Sequence, residues 1–314
     1  MTAEAEVLDA IVVGAGPAGL TAALYLARFK RRFLVIHDER SRAGWIPISH
    51  NHPGFVDGIS GGNLLALMRR HAERYGARIV AGEVQALTRD GNDFVAEIDG
   101  ERRRARTALL ATGVVDRAPD LPGIADAVRR ALVRICPVCD GYEASDQALG
   151  VIGCDDRGAA EAEFLTTYSN RVSLIHVAEP AKLSADARGR LARAEVEVIE
   201  TLLQDVELCN DRVTALVFAD HGPRRFDALY SALGVSPRSE LARKAGAETD
   251  SDGRLAVDEH QETTVRGLFA AGDLVRGLNQ IATAQGEGAV AATAIHNRLR
   301  DDASCREGRQ APKS

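Results

Sequence analysis

The N-terminal segment contains a strand, a glycine-rich turn, a helix and a second strand in direct succession. The apolar run Leu8–Val13 predicts a buried strand, and Gly14-Ala-Gly-Pro-Ala-Gly19 follows it immediately. Residues 20–27 are helix formers, and the apolar run 33–36 predicts the second strand. In such a βαβ unit the glycines let the backbone approach a pyrophosphate, and the helix N-terminus offers N–H groups to it. The chain is therefore predicted to begin with a dinucleotide-binding domain.

An acidic residue at the end of the second strand of this unit accepts hydrogen bonds from a ribose. His37, Asp38 and Glu39 stand there, and the sequence does not choose between the three. We take Asp38 and Glu39 as predicted cofactor-binding residues.

A second unit of the same kind occurs near the middle of the chain. The apolar run Leu149–Gly153 leads through Cys154-Asp-Asp-Arg157 into a helix-forming segment, and Val172–His176 predicts the next strand. Near the C-terminus, Gly267–Asp273 reads as a strand that ends in small residues and an acid. We predict an α/β fold with two doubly wound Rossmann-like domains, the first of which is completed by the last third of the chain.

Composition excludes several classes of function. The chain has 39 Lys and Arg against 45 Asp and Glu, a net charge of −6, which argues against affinity for nucleic acid or an anionic membrane surface. No apolar run approaches the roughly 20 residues of a spanning helix, and the acidic N-terminus does not resemble a signal peptide. Five cysteines, an odd number, do not suggest a disulfide framework. We expect a soluble cytoplasmic protein.

Cys136-Pro-Val-Cys139 is the most specific chemical signal in the sequence. Its spacing lets two sulfurs bridge, and a thiol at a helix N-terminus has a lowered pKa and forms the nucleophilic thiolate. A zinc site would need further ligands at finger spacing, and the other three cysteines are dispersed, so no metal site is predicted. The alternative that the two cysteines are a buried structural pair remains open. Asp140 follows the pair, either as a proton carrier for thiol–disulfide exchange or as a residue that faces the helix dipole.

Several motifs together resemble the low-molecular-weight thioredoxin reductase family. They occur in that family's order, and the resemblance extends from about residue 8 to residue 299. They are the first glycine turn, Asn51-His-Pro-Gly54, Ala111-Thr-Gly113, Cys136-Pro-Val-Cys-Asp-Gly141, Ala270-Ala-Gly-Asp273 and Gln280-Ile281.

The resemblance implies an FAD-binding domain made of residues 1–115 and 244–314, and a pyridine-nucleotide-type domain of residues 116–243 that carries the two cysteines. It implies that electrons pass between the flavin and the disulfide, and that a domain rotation exposes the dithiol to a partner. The implied catalytic residues are Cys136, Cys139 and Asp140. The predicted FAD-binding residues are Gly14, Gly16, Pro17, Ala18, Gly19, Asp38, Glu39, Asn51, Val84, Thr112, Gly113, Gly272, Asp273, Gln280 and Ile281.

The second glycine turn departs from the family at the position that approaches the pyrophosphate. Asp155 stands where the family has its middle glycine, and a carboxylate there would crowd and repel a phosphate. His176 is followed by Val177-Ala-Glu-Pro180, so the arginines that would hold the 2′-phosphate of NADPH are missing. We therefore predict that NADPH is not bound tightly.

Another electron donor or acceptor is then required, and the sequence leaves alternatives open. One resembles the ferredoxin-dependent flavin thioredoxin reductases, with Arg102-Arg-Arg-Ala-Arg106 and Arg129-Arg130 as a docking surface for an acidic ferredoxin. Another resembles FAD-dependent dithiol oxidases, in which oxygen takes the electrons, although Asp140 stands where those enzymes typically have histidine. A third is a flavin-binding sensor or interaction protein without turnover, against which the intact redox motif argues.

Two further expectations concern the surroundings of the site. The segment Ile46–Gly54 departs from the family pattern, and His50 or His52 is a candidate proton carrier or a hydrogen-bonded loop residue. The expected partner is a thioredoxin-like protein or a small-molecule disulfide or dithiol, and the family resemblance implies a homodimer.

Overall fold

The computed structural model describes residues 7–117, 127, 130, 132–177, 182–201, 203–209, 212–220 and 222–310. The chain divides into two compact units. The first consists of Met1–Ile46, Ile59–Val115 and Ser236–Ser314, and the second of Pro47–Gly58 and Asp116–Val235. Each unit has its own sheet with parallel strands, which confirms the predicted α/β class.

The first unit is built on a seven-stranded sheet. Its strands are β1 (Leu8–Val13), β2 (Phe33–His37), β3 (Ile79–Ala81), β4 (Val84–Asp90), β5 (Asp93–Ile98), β6 (Glu101–Leu110) and β15 (Leu268–Ala270). The order is β3-β2-β1-β6-β5-β4, with β15 also paired to β6. Strands β3, β2, β1, β6 and β15 are parallel, whereas β4, β5 and β6 are antiparallel.

Strand β1 is apolar on both sides because both faces of the sheet are covered. Ala10 and Val12 lie in one core cluster with residues of the helices α1 (Pro17–Arg28) and α7 (Ile281–Gln310), while Ile11 and Val13 lie in a second cluster on the other face. The helices of this unit are α1 (Pro17–Arg28), α2 (Gly61–Arg74), α6 (Glu240–Lys244) and α7 (Ile281–Gln310).

The second unit contains a smaller parallel sheet with the order β10-β9-β8-β13. Its strands are β8 (Leu149–Gly153), β9 (Val172–His176), β10 (Glu197–Ile199) and β13 (Ala228–Ala232), and a separate antiparallel pair is formed by β11 (Leu203–Cys209) and β12 (Arg212–Phe218). Its helices are α3 (Pro137–Asp140), α4 (Asp156–Leu165) and α5 (Ala185–Arg193). Two short strands, β7 (Val114–Asp116) and β14 (Val235–Pro237), pair where the chain passes from one unit to the other.

The division of the chain differs from the predicted domain boundaries in two places. The chain re-enters the first unit at Ser236, before the predicted residue 244, because α6 packs on β4 and buries Ala242 in the core of that unit. The segment Pro47–Gly58, predicted with the FAD domain, belongs to the second unit. The cofactor of each unit remains a prediction.

Among the described residues, no helix combines the length and hydropathy needed to cross a membrane.

Helix α7 packs on α1 at Gly288, and substitution of this glycine tests the packing. A Cβ atom on Gly288 would lie 2.3 Å from the carbonyl oxygen of Ala18 in α1, whereas a Cβ atom on Gly286 would meet nothing within 4 Å. We expect Gly288→Ala to lower the free energy of unfolding by about 1–3 kcal/mol through overpacking. Gly286→Ala, the matched control in the same helix, should raise it by up to about 1 kcal/mol through helix propensity. Chemical unfolding of both variants would measure this, and similar values for the two would contradict the packing.

Candidate active site

The predicted cysteine pair forms a disulfide. Cys136 and Cys139 are bonded, with their Cα atoms 5.3 Å apart. Cys136 precedes α3 in extended conformation, and Pro137 fills the first helical position. The N–H group that proline lacks would have no partner within the helix at that position. The N–H group of Cys139 donates to the carbonyl oxygen of Cys136 at 3.0 Å. The spacing of the motif thus brings the two sulfurs together, as predicted.

Asp140 ends α3, and its carboxyl group is largely withdrawn from solvent. Its Oδ1 atom is buried without a hydrogen-bond partner in the described part of the chain. Its Oδ2 atom lies 3.7 Å from Nε of Arg134, close enough for charge attraction. Burial raises the pKa of Asp140, while Arg134 and a hydrogen bond from Tyr230 oppose the rise and Glu143 adds to it. A carboxyl group with a raised pKa keeps its proton to higher pH, as a proton carrier beside thiols must.

Arg134 and Tyr230, which the sequence analysis did not select, both contact Asp140. Nη1 of Arg134 donates to the carbonyl oxygen of Asp140 at 2.8 Å and to Oη of Tyr230 at 3.2 Å. Oη of Tyr230 lies 3.3 Å from the same carbonyl oxygen and donates to it. One signal was available in the sequence: an arginine inside the apolar run Leu132–Ile135 requires a polar partner once the run is buried.

The segment Pro47–Gly58 contacts the turn that carries the disulfide. Nδ2 of Asn51 donates to the carbonyl oxygen of Val138, between the two cysteines, at 3.3 Å. Both ring nitrogens of His52 are buried and have no hydrogen-bond partner among the described residues, and the ring packs edge-on against Phe55. His50 is exposed. The alternative of a hydrogen-bonded loop histidine is therefore not realised at His52, and its predicted role as a proton carrier remains a prediction.

The first glycine turn has the form that a pyrophosphate site requires. A Cβ atom on Gly19 would lie 1.9 Å from the carbonyl oxygen of Gly14, so the helix packs directly on the strand end. Gly14 itself has φ +106°, a conformation that favours glycine. Gly16 precedes α1, Pro17 begins it, and no side chain caps its N–H groups. These groups fit the phosphates of a dinucleotide such as FAD.

The three candidates for the ribose differ in their surroundings. His37 is buried, and its Nε2 lies 3.3 Å from Nη1 of Arg69. Burial, and next Arg69, lower the pKa of His37. The carboxylate of Asp38 is bound by Arg40 and Arg238 at 2.9 and 3.1 Å. Glu39 is exposed and makes no hydrogen bond within the described residues. Of the two acids, it is therefore the one whose carboxylate is accessible, and its contact with a ribose remains a prediction.

The remaining predicted FAD residues of the first unit lie in four other places. Gly272 has φ +82° and packs on Ala18 of α1, and Asp273 follows it with Oδ2 3.5 Å from Nη1 of Arg42. Thr112 donates from Oγ1 to the carbonyl oxygen of Arg238 at 2.8 Å. Gly113 has φ +65°, Gln280 immediately precedes α7, Ile281 is its first residue, and Val84 begins β4 and is buried. Their contact with FAD remains a prediction.

The second glycine turn keeps the close packing, but a side chain caps the helix that follows it. A Cβ atom on Gly153 would lie 2.8 Å from Cα of Gly158, so strand and helix touch as in the first unit. However, Oδ1 of Asp155 accepts the N–H groups of Arg157 and Gly158 at 3.0 and 3.4 Å and caps α4. Cys154, just before it, is a free thiol whose pKa is raised by burial and then by the charge of Asp155.

The predicted arginine-rich docking surface is an ion-paired strand. Arg103 bonds to Glu101, Arg104 to Asp90 and Asp93 at 2.9 and 2.8 Å, and Arg106 lies 3.8 Å from Asp9. These three arginines have acidic partners on β6 and its neighbours, which weakens the prediction of a ferredoxin site there. Arg129 lies outside the described residues.

Comparisons with known proteins agree with this fold. The family model of pyridine nucleotide-disulphide oxidoreductases matches residues 8–288. The thioredoxin reductase of Mycolicibacterium smegmatis is 32% identical over 302 residues, which cover 93% of this chain and 96% of the relative. The crystal structure of HlmI superposes with a TM-score of 0.90 at 30% identity, covering 97% of this chain and 96% of HlmI. The thioredoxin reductase from Streptococcus pyogenes MGAS5005 superposes with a TM-score of 0.87 at 28% identity, covering 94% and 99%.

A Rossmann-like α/β fold that carries a Cys-x-x-Cys disulfide defines the class of flavin-dependent disulfide oxidoreductases. The chain belongs to the pyridine nucleotide-disulphide oxidoreductase family, and the predicted resemblance to the low-molecular-weight thioredoxin reductases is confirmed.

The capping role of Asp155 can be measured. Asp155→Ala removes the oxygen that satisfies two N–H groups and should lower the free energy of unfolding by about 1 kcal/mol. Asp155→Ser keeps a capping oxygen without the charge, so its loss should be smaller. Urea unfolding followed by circular dichroism would compare the two, and an unchanged free energy of unfolding in Asp155→Ala would show that the carboxylate does not act as a cap.

Proposed function

We propose that this chain is an FAD-dependent dithiol/disulfide oxidoreductase in which Cys136 and Cys139 alternate between disulfide and dithiol. The observation that carries the proposal is their disulfide, followed directly by the partly buried carboxyl group of Asp140. The uncapped N-terminus of α1, with Gly14, Gly16 and Gly19, would hold the FAD phosphates. FAD supplies two-electron exchange with the disulfide. Because relatives are named thioredoxin reductases, a thioredoxin-like protein or a small disulfide is the proposed partner.

The exchange with a partner disulfide R–S–S–R′ takes two steps. The carboxylate of Asp140 takes the proton of the Cys136 thiol, and the resulting thiolate attacks one sulfur of the partner. A Cys136–S–S–R bond forms, the S–S bond of the partner breaks, and R′–S⁻ takes that proton from Asp140. The thiol of Cys139 then gives its proton to the same carboxylate, its thiolate attacks the sulfur of Cys136 and re-forms the disulfide, and the released R–S⁻ takes this second proton. Two electrons and the two thiol protons of the pair have then passed to the partner. The roles of Cys136 and Cys139 are interchangeable as far as burial is concerned, because both residues are half-buried.

The proposal includes weak or absent binding of NADPH. Asp155 occupies the N–H groups that a pyrophosphate would use, and its negative charge adds repulsion. Val177 follows His176 where a guanidinium group would be needed for a 2′-phosphate. The positions after Val177 lie outside the described residues.

The reaction is tested by anaerobic reduction of the purified, yellow protein. Bleaching of the flavin is followed with NADPH, NADH, reduced ferredoxin and dithiothreitol in turn. We expect dithiothreitol to bleach the flavin of the wild-type protein and to lose this effect in both Cys136→Ser and Cys139→Ser. Full dithiothreitol-dependent turnover in both variants would refute the redox pair. A flavin that never exchanges electrons with the pair would instead favour the sensor.

The electron partner decides between a reductase and a dithiol oxidase. Oxygen consumption with a dithiol substrate, at a rate that matches its oxidation, is the result expected of the oxidase. Rapid flavin reduction by ferredoxin is the result expected of the ferredoxin-dependent alternative. The proposed homodimer is tested by analytical ultracentrifugation, and the cytoplasmic location by fractionation of cells that express the native gene.

Occlusion of the helix N-terminus by Asp155 predicts a gain of function when it is removed. Asp155→Gly combined with Val177→Arg frees the N–H groups and adds a cation, so NADPH oxidation should rise at least about tenfold, the equivalent of 1.4 kcal/mol. Asp155→Ser is the matched control, because it keeps the N–H groups occupied and should gain less. No gain in the double variant would contradict occlusion by Asp155.

A further inference from the structure

The guanidinium group of Arg134 connects three groups around the redox pair. Nη1 donates to the carbonyl oxygen of Asp140 at 2.8 Å and to Oη of Tyr230 at 3.2 Å, while Nε lies 3.7 Å from Oδ2 of Asp140. The guanidinium carbon also lies 5.7 Å from the centre of the Tyr230 ring, within the range of a cation–π contact. One arginine therefore binds both the backbone and the carboxyl group of the residue that follows the disulfide.

The backbone fixes this arrangement. Arg134 and Tyr230 are partners in a parallel bridge, in which Arg134 donates to Leu229 at 2.8 Å and Ser231 donates to Arg134 at 2.7 Å. Tyr230 is completely buried in β13. The side chains thus project from a rigid sheet, and Arg134 stands only two residues before Cys136.

The carboxyl group of Asp140 has few other neighbours that compensate its charge. Glu143, in the following turn, adds a negative charge that disfavours ionisation. On the side of α4, the ring of Tyr168 lies against Gly141, where an added Cβ atom would approach it to 2.5 Å. Arg134 is the cation that acts on Asp140 within the described residues. Its loss would leave a partly buried carboxylate next to Glu143 with a single neutral hydroxyl group.

We propose that Arg134, supported by Tyr230, is a positioning residue that holds the carboxyl group of Asp140 beside the redox pair and sets the pH at which it gives up its proton. This inference rests on the proposed function, because it gives Arg134 a part in the proton transfer that accompanies thiol–disulfide exchange. Removal of an opposite charge at this distance destabilises the carboxylate, so Asp140 would remain protonated to higher pH.

The test compares Arg134→Gln, Arg134→Lys and the wild-type protein. The dithiothreitol-reduced, desalted proteins react with 5,5′-dithiobis(2-nitrobenzoate) in single turnovers over a series of pH values. We expect the limb of the pH profile that depends on Asp140 to move up by about one pH unit in Arg134→Gln and by less in Arg134→Lys, which keeps the charge. Arg171→Gln is the matched control, since Arg171 lies 3.8 Å from Asp227 in the same unit, and its profile should not move.

The double variant Asp140→Asn/Arg134→Gln separates this role from a structural one. If Arg134 acts through Asp140, the double variant has the same profile as Asp140→Asn alone. A shift of equal size with and without the carboxyl group, or no shift in Arg134→Gln, would overturn the inference. Should Arg134→Gln fail to fold, Tyr230→Phe and Arg134→Lys provide the same comparison, because each removes only part of the contact set.

An infrared titration makes the inference independent of turnover. The carboxylic-acid band that Asp140→Asn abolishes should disappear at higher pH in Arg134→Gln than in the wild-type protein. A protein without any exchange activity would refute the proposed function, while the infrared titration would still decide the role of Arg134. An unchanged titration in an active enzyme would refute the inference and leave the proposed function intact.

Discussion

Helix α1 begins directly on the backbone of β1, with no side chain between them. Cβ atoms on Gly14 and Gly19 would lie 2.2 and 1.9 Å from carbonyl oxygens, so neither position accepts a larger residue without movement of the backbone. The first turn of α1 also contacts α7, because Gly288 of α7 approaches the carbonyl oxygen of Ala18. The turn at Gly272 packs on Ala18 as well. The elements that would surround FAD in the first unit are thus located by the same short stretch of backbone.

Both units have this close approach of strand and helix, but they differ in the charge at the N-terminus of the helix. In the second unit Gly153 and Gly158 again let strand and helix touch, yet Asp155 supplies the negative charge that the N-terminus of α4 attracts. In the first unit no side chain caps α1. Glycine spacing therefore reports the packing of a strand on a helix, whereas the residue before the helix reports whether an anion can bind. Close packing of strand and helix thus occurs both with an uncapped helix N-terminus and with one that a side chain caps.

Local signals in the sequence predicted the strand–turn–helix units and the disulfide, since each depends on residues close together in the chain. The pairing of Arg104 with Asp90 and Asp93 was not predicted, because it requires the register of three antiparallel strands. The contact of Arg134 with Tyr230 was missed for the same reason: their strands become neighbours only when the sheet of the second unit forms. The placement of Pro47–Gly58 in that unit likewise depends on long-range contacts such as that of Asn51 with Val138.

These long-range contacts explain how a very short helix can hold a redox pair. Helix α3 spans only Pro137–Asp140, and an isolated helix of that length is unstable in water. The carbonyl groups that such a helix leaves unsatisfied are bound from outside: Asn51 donates to Val138, while Arg134 and Tyr230 donate to Asp140. None of these hydrogen bonds involves the sulfur atoms, so none of them requires the disulfide to be formed. If they persist in the dithiol proposed above, they would keep the two thiols close, and the intramolecular attack that re-forms the disulfide would proceed without a search for the correct geometry.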